Sequence, residues 1–505
     1  MLKLKIKEYD VEIHTSSFIK NEWWDHVDPN EMIDLINPAT EELIGTYRAA
    51  TREEVDLAVV AAKKALNKDS NWMTMSLLER GRLLNKLADR IESESEVMAL
   101  IESLNMGKPI FESENFDMKQ VVSTLRYFAG WTDKIGGKTI PLSSVSQSVA
   151  QSDNSTILTY TKQVPIGVVA LILPWNFPLQ LLMWKLAPCL AAGNTVVIKP
   201  SEITPLTTFY LAQLVKEVGF PPGVVNVVSG FGPIVGDALS SHMEIDKISF
   251  TGSTKVGKMV QVAATNSNLK QVSLELGGKS PIIVFDDCTN LDQVVLDSMH
   301  ALFWNAGQCC SAGSRIYVQS SIYDLFVQKM EALVKNRVLG DPLEVTTQQG
   351  PQVSKTQLDS VLNYIDIGIK QKARLVCGGK RSDRKGYYIE PTVFADVKDS
   401  MTIAKEEIFG PVMCLIKFDT VDEAIEKANT SDYGLVGAVY TRDVNKAIIV
   451  SDRVKSGLVW VNTYNLIEAS LPWGGFKSSG GGRDLSQYAL MEYTETKTVV
   501  ISAKF

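Results

Sequence analysis

Two periodicities alternate along this chain. Over Glu53 to Leu66, and again over Leu77 to Ile91, apolar residues recur every three or four positions with charges between them, which predicts helices with one buried face. From Val164 onward the pattern changes to short β-branched runs: Val168 to Leu173, Thr195 to Ile198, Val224 to Val228 and Lys247 to Phe250. Helix-like segments separate most of these runs, and that alternation predicts a doubly wound parallel sheet. A further run, Pro281 to Phe285, opens a second series that continues through Arg315 to Val318 and Val412 to Ile416, so a boundary is placed near Gly277-Gly278. Ser155 to Thr161 is rich in β-formers and polar at alternate positions, like an antiparallel strand open on one face. Such a strand invites a partner, although an ordinary surface strand has the same pattern.

One stretch, Val164 to Met183, is long enough in apolar residues to cross a bilayer. Pro174, Asn176, Pro178 and Gln180 interrupt it, so a strand, a loop and a helix are expected instead, and no membrane partner. At 505 residues the chain exceeds what one core usually supports, and two or three domains with a cleft between them are expected. The net charge of −7, with Lys and Arg dispersed, argues against a nucleic-acid groove or an anionic membrane surface. Six cysteines without CxxC spacing read as free thiols in a reducing compartment and leave no case for a metal site. The amino-terminal residues have neither the apolar core of a secretory signal nor the character of a transit peptide, and read as cytoplasmic.

A cysteine nucleophile needs an ionisable thiol, donors for an oxyanion and a base for whatever attacks the acyl group. Gly307-Gln308-Cys309-Cys310-Ser311 places two thiols in a loop of mostly small residues before a predicted strand, where plain buried packing is the commoner use. Glu275 sits among apolar neighbours ahead of two glycines that permit a sharp turn, as a base of raised pKa or as half of an ion pair. Asn176 follows a predicted strand, where its amide either donates to an oxyanion or caps the next helix. Phe250 to Gly257 is a strand end turning into a helix, suited to a phosphate. With Lys258 it nearly spells a P-loop, but Met259 stands where Ser or Thr would hold magnesium, which disfavours a nucleotide triphosphatase. Lys199 and Glu202, just after a strand, offer a cation and a carboxylate for a ribose.

Taken in order, these segments resemble the aldehyde dehydrogenase superfamily, in the branch that includes retinal and acetaldehyde-type enzymes. The resemblance runs from Asn37-Pro38-Ala39-Thr40 through Asn105-Met106-Gly107-Lys108-Pro109 to Glu407-Ile408-Phe409-Gly410-Pro411 and Pro472-Trp473-Gly474-Gly475-Phe476. It implies two Rossmann-like, doubly wound α/β domains plus a small antiparallel oligomerisation hairpin. Residues 1–141 with 166–278 would bind NAD, 279–480 would form the catalytic domain, and 142–165 with 481–505 would be oligomerisation elements. It also implies that Cys310 is the nucleophile, Glu275 the general base, and Asn176 with the Cys310 amide the oxyanion hole. Trp175, Lys199, Glu202, Ser253, Glu407 and Phe409 would hold the cofactor, with Glu202 favouring NAD over NADP because a carboxylate repels a 2′-phosphate.

The same resemblance places Trp184, Phe303, Trp304, Tyr464 and Ile467 along the aldehyde tunnel, an apolar set that favours an uncharged aliphatic or aromatic aldehyde. A homodimer or homotetramer is implied by Ser155 to Thr161 and Thr496 to Ser502, which resemble the family's oligomerisation strands. A non-catalytic relative would be expected to have lost Cys310, Glu275 or Asn176, and all three are present. Three details depart from the pattern. Asp484 stands where Glu is common, Trp473 where Phe is frequent, and the interval from Glu275 to Cys310 is one residue longer, an insertion placed near Cys288-Thr289-Asn290.

Overall fold

Both faces of the long apolar runs are buried, and this decides the architecture. A computed structural model describes residues 1–24, 32–143 and 156–503; Ser155, and with it segment 144–155 of the expected hairpin, lies outside these residues, as do the last two residues. All five residues of Val168–Ile172 are buried, with Val169 and Leu171 in one hydrophobic cluster and Val168, Ala170 and Ile172 in another on the opposite face. Ile282 and Val284 likewise share one cluster while Ile283 faces a second. A strand covered on both sides reads as a continuous apolar run rather than an alternation.

The first sheet has eight strands in the order Gly480–Gly481, Gln271–Glu275, Lys247–Thr251, Val168–Ile172, Thr195–Lys199, Val225–Val227, Ser17–Ile19, Glu22–Trp24. The middle five are mutually parallel, and the three outer strands are antiparallel additions. Strand order reverses between Val168–Ile172 and Lys247–Thr251, so the switch point, where open α/β sheets bind ligands, lies beyond Ile172 and Thr251. Gly480–Gly481, at the expected border of the catalytic and terminal segments, pairs with the first sheet beside Leu274 and Glu275.

The second sheet has seven strands in the order Arg374–Cys377, Thr392–Ala395, Val412–Phe418, Arg315–Gln319, Pro281–Val284, Val436–Tyr440, Leu458–Val461, all parallel except the first. The chain passes from the carboxyl end of Gln271–Glu275 to the amino end of Pro281–Val284 within a few residues, near the expected Gly277-Gly278 boundary. The carboxyl edge of the first sheet therefore meets the amino edge of the second. A separate two-stranded sheet pairs Thr156–Pro165 with Thr494–Ala503.

The predicted helices form as Arg52–Ala65 and Leu77–Ser93, each opened by a capping box, Thr51 with Glu54 and Ser76 with Glu79. The Val164 to Met183 stretch resolves into the end of one strand, the strand Val168–Ile172, a loop and the start of helix Pro178–Ala191. Among the described residues no helix is long and apolar enough to cross a membrane. Cys288-Thr289-Asn290, where the sequence places an extra residue, lies between a strand and helix Leu291–Phe303, and the Asn290 side chain accepts from the Asp292 and Gln293 amides. Replacing Ser76 with Ala removes one side of its capping box and is expected to cost ~1 kcal/mol, seen as a lower thermal midpoint with unchanged activity.

Candidate active site

Cys310 stands where two cavities meet. One, of about 420 Å³, is lined by aromatic and apolar side chains including Phe116, Phe177, Trp184, Trp304, Tyr464 and Trp473, and it reaches both cysteines of the loop. The other, of about 210 Å³, lies at the switch point and is lined by Trp175, Asn176, Ser253, Glu275, Glu407 and Phe409. Cys310 lines both, whereas Cys309 lines the first and not the second, its thiol lying 3.2 Å from the Ser311 hydroxyl. The register explains the convergence. Glu275 pairs with Thr251, Phe250 with Ile172, and Ile172 with Lys199, so four strand ends lie side by side over ~14 Å. Opposite them, the loops carrying Cys310 and Phe409 enter the adjacent parallel strands Arg315–Gln319 and Val412–Phe418.

The loop that carries Cys309 and Cys310 is held in an unusual conformation by many partners. Asn305, Ala306 and Gly307 all have left-handed φ, at 48°, 53° and 76°. The buried Glu112 carboxylate accepts the Asn305 amide at 2.9 Å, and the Asn305 side chain donates to the Asn176 and Gln308 carbonyls at 3.0 and 3.2 Å. Asn176 Nδ2 donates to the Gln308 carbonyl at 3.0 Å. It does not cap the following helix, whose Leu179 amide donates to the Glu102 carboxylate at 3.4 Å. The Tyr464 hydroxyl donates to the Ser311 carbonyl at 2.6 Å, so a wall of the larger cavity also anchors the loop.

Electrostatics at the junction are governed by burial. Glu275 is 4% exposed, and desolvation pushes its carboxyl up to about 7, with Lys185 opposing and Asp484 reinforcing the shift. Its Oε1 accepts from Trp473 Nε1 at 3.3 Å, while its Oε2 has no hydrogen-bond partner among the described residues. The Cys310 thiol is pushed well above the usual cysteine range by its hydrogen bond with Cys309, by burial and by the Glu275 carboxylate. Burial also raises Glu407, to about 7, although the Gly278 amide donates to its Oε1 at 2.9 Å. The glycines at 277 and 278 answer to close approach, not to the sharp turn the sequence suggested. Neither has a left-handed φ, but a Cβ on Gly277 would stand 2.0 Å from Glu407 Oε2, and one on Gly278 would stand 2.2 Å from the Cys310 carbonyl.

A family model for the aldehyde dehydrogenase family matches residues 23–499. The chain belongs to the aldehyde dehydrogenase family. It is 52% identical over 500 residues to retinal dehydrogenase 2 of Gallus gallus, covering 99% of this chain and 93% of that protein. It is 50% identical over 484 residues to the mitochondrial aldehyde dehydrogenase of Homo sapiens, covering 96% and 91%. A solved NAD+ complex of an aldehyde dehydrogenase from Bacillus cereus has a TM-score of 0.92 at 44% identity, covering 98% of this chain and 97% of that one.

Within this aldehyde dehydrogenase fold the expected residues are not all equally placed. Trp175, Ser253, Glu407 and Phe409 line the smaller cavity, with the Trp175 and Phe409 rings edge to face at 5.2 Å. Ser253 caps helix Thr254–Asn266. Lys199 and Glu202 lie outside that cavity, farther along the same edge, paired at 3.3 Å. Trp184, Trp304, Tyr464 and Ile467 line the larger cavity. Phe303 does not: it is fully buried in the core with its ring under Arg337, on the face of helix Leu291–Phe303 away from Asp297, His300 and Ala301, which line the cavity with Trp304. Gln357, which donates to the Phe409 carbonyl at 2.8 Å, and Glu112 escaped the sequence reading, since both reach the site from segments with no local signature. Asn176→Ala is expected to lower kcat ~100-fold or more while leaving NAD affinity within a few-fold, measurable by steady-state kinetics and tryptophan quenching.

Proposed function

We propose that Cys310 attacks an aldehyde and that the resulting thioester is hydrolysed by water activated at Glu275. The enzyme is an aldehyde dehydrogenase that uses NAD, and the observation that carries this assignment of roles is that Cys310 alone of the two loop cysteines borders both cavities. The smaller cavity suits a dinucleotide: it sits at the switch point, opens between a capped helix start and two aromatic rings, and has Gly277 where any side chain would strike Glu407. Glu407 would hold the nicotinamide ribose and Phe409 the ring, Ser253 the pyrophosphate, Trp175 the flank, and Lys199 with Glu202 the adenosine ribose. Bound NAD supplies the hydride acceptor and, at its cationic ring, a charge that favours the thiolate.

On this reading the Cys310 thiol first releases its proton to solvent, the thiolate sulfur bonds to the carbonyl carbon, and the negative charge moves to the carbonyl oxygen. Asn176 Nδ2 and the Cys310 amide, which has no protein acceptor among the described residues, donate to that oxygen. Loss of hydride from the same carbon restores the C=O bond and leaves a thioester. Glu275 then takes a proton from water as the hydroxyl oxygen bonds to the acyl carbon, the C–S bond breaks, and the acid departs. Because a base must be ionised, hydrolysis should fall about tenfold per pH unit below about 7 and level off above it. Glu275→Gln should abolish that dependence together with turnover.

Uncharged aliphatic or aromatic aldehydes suit the larger cavity, whose walls among the described residues carry no Lys or Arg to bind a substrate carboxylate. Propanal should outpace succinic semialdehyde in kcat/KM by more than tenfold, and the reverse order would overturn this substrate class. The two-stranded sheet Thr156–Pro165 with Thr494–Ala503, with Leu158, Val500 and Ile501 exposed, supports a homodimer or homotetramer. Six unpaired cysteines suit the reducing cytoplasm. The two sheets on either side of Gly277-Gly278 support a cofactor domain of 1–141 with 166–278, a catalytic domain of 279–480, and oligomerisation elements in 142–165 and 481–505. The test of the central assignment is NADH formation at 340 nm with NAD and propanal: Cys310→Ala should be silent and Cys309→Ala active, whereas an active Cys310→Ala would reject it.

A further inference from the structure

Trp473 does more than wall the larger cavity. Its side chain is buried, its backbone exchanges two hydrogen bonds with Asp484 at 2.8 and 2.7 Å, and its ring meets Trp184 edge to face at 5.3 Å. These contacts fix the indole so that its N–H points at Glu275 Oε1, 3.3 Å away. The charged and titratable groups facing Glu275 come from three other segments: Lys185 on helix Pro178–Ala191, Asp484, which accepts from Lys185 at 2.8 Å, and Cys310. Neither Lys185 nor Asp484 hydrogen-bonds Oε2, which is buried without a partner among the described residues, and the Cys310 thiol, close enough to hydrogen-bond the Glu275 carboxyl, has no proton to give once its sulfur carries the acyl group. A cavity of about 10 Å³, bordered by Lys185, Ser273, Glu275, Trp473 and Asp484, has room for about one water molecule.

A carboxylate rotates easily about its last torsion, so which oxygen acts as the base is undefined unless one is held. We propose that Trp473 is a positioning residue for thioester hydrolysis: its indole N–H fixes Glu275 Oε1 and leaves Oε2 as the oxygen that accepts the proton of the attacking water. The proposal rests on Glu275 being the base. In the step, a water O–H bond breaks, the proton goes to Oε2, the hydroxyl oxygen bonds to the acyl carbon, and the C–S bond breaks to return the electron pair to Cys310 sulfur. A donor on Oε1 also favours the ionised carboxylate, so its removal moves the base upward in pH. Phenylalanine at 473 keeps an aromatic ring against Trp184 and deletes only the donor and the second ring.

The experiment mixes excess full-length enzyme rapidly with propanal and NAD, at pH values from about 6 to 9, and follows NADH formation and propanoate release separately. For Trp473→Phe, the midpoint of the acid-release profile should rise by roughly one unit, the equivalent of one charge-assisted hydrogen bond, while the pH midpoint of NADH formation stays that of wild type. Release near neutral pH should then fall several-fold and recover in alkali. Glu275→Gln serves as the control: it should form NADH and release no acid at any pH. If Glu275→Gln releases acid like wild type, the base assignment itself fails. If that variant is blocked but Trp473→Phe keeps the wild-type midpoint of acid release, whether or not NADH formation slows, Trp473 only shapes the tunnel and the positioning role is overturned.

Discussion

The site depends on one close approach: the segment leaving the strand that ends at Glu275 passes against the loop that carries Glu407. Any side chain at 277 would collide with the Glu407 carboxylate, and any at 278 with the Cys310 carbonyl. The Gly278 amide converts that proximity into a hydrogen bond to Glu407. Two sheets that share no strand are thereby brought edge to edge, and Cys310 of one stands beside Glu275 of the other. Residues that could not be neighbours within either sheet become neighbours across this seam.

The carboxyls at the seam are buried, and burial sets the chemistry. Carboxyls at 275 and 407 are both raised to about 7 by burial, so each stands near the point where it can gain or lose a proton at neutral pH. Buried charge recurs in the support behind the nucleophile loop. Lys108 pairs with Asp117, lies 3.7 Å from Glu102 and sits over the Phe177 ring, whose other surroundings belong to the tunnel. Glu112, raised to about 8 by burial, holds the Asn305 amide. Such groups are costly to bury and are tolerated where hydrogen bonds and ion pairs compensate them.

Much of this was legible in the chain itself. Continuous β-branched runs such as Thr195 to Ile198 revealed central parallel strands because a strand covered on both faces has no polar alternation to obscure it. Apolar residues every three or four positions over Leu77 to Ile91 marked a helix because that spacing lines one face of a 3.6-residue turn. The antiparallel strands Ser17–Ile19 and Glu22–Trp24 at the sheet's edge were not legible, since short edge strands lack that continuous pattern. The candidate residues Cys310, Glu275 and Asn176 stood out through their neighbours and the resemblance those neighbours carried.

What the sequence alone determined was therefore the central elements, the family, and the candidates for the reactive side chains, because each of these is written in local spacing. Tertiary structure decided what those side chains face. It turned Phe303 into the core and Trp304 into the cavity at a helix end, and it placed Cys310 rather than Cys309 at the junction of two cavities. It also brought the Trp473 indole to Glu275 and the Glu112 carboxylate to Asn305, contacts between residues almost two hundred positions apart. A hydrogen bond depends on separation in space, and the fold fixes that separation only once both sheets have packed.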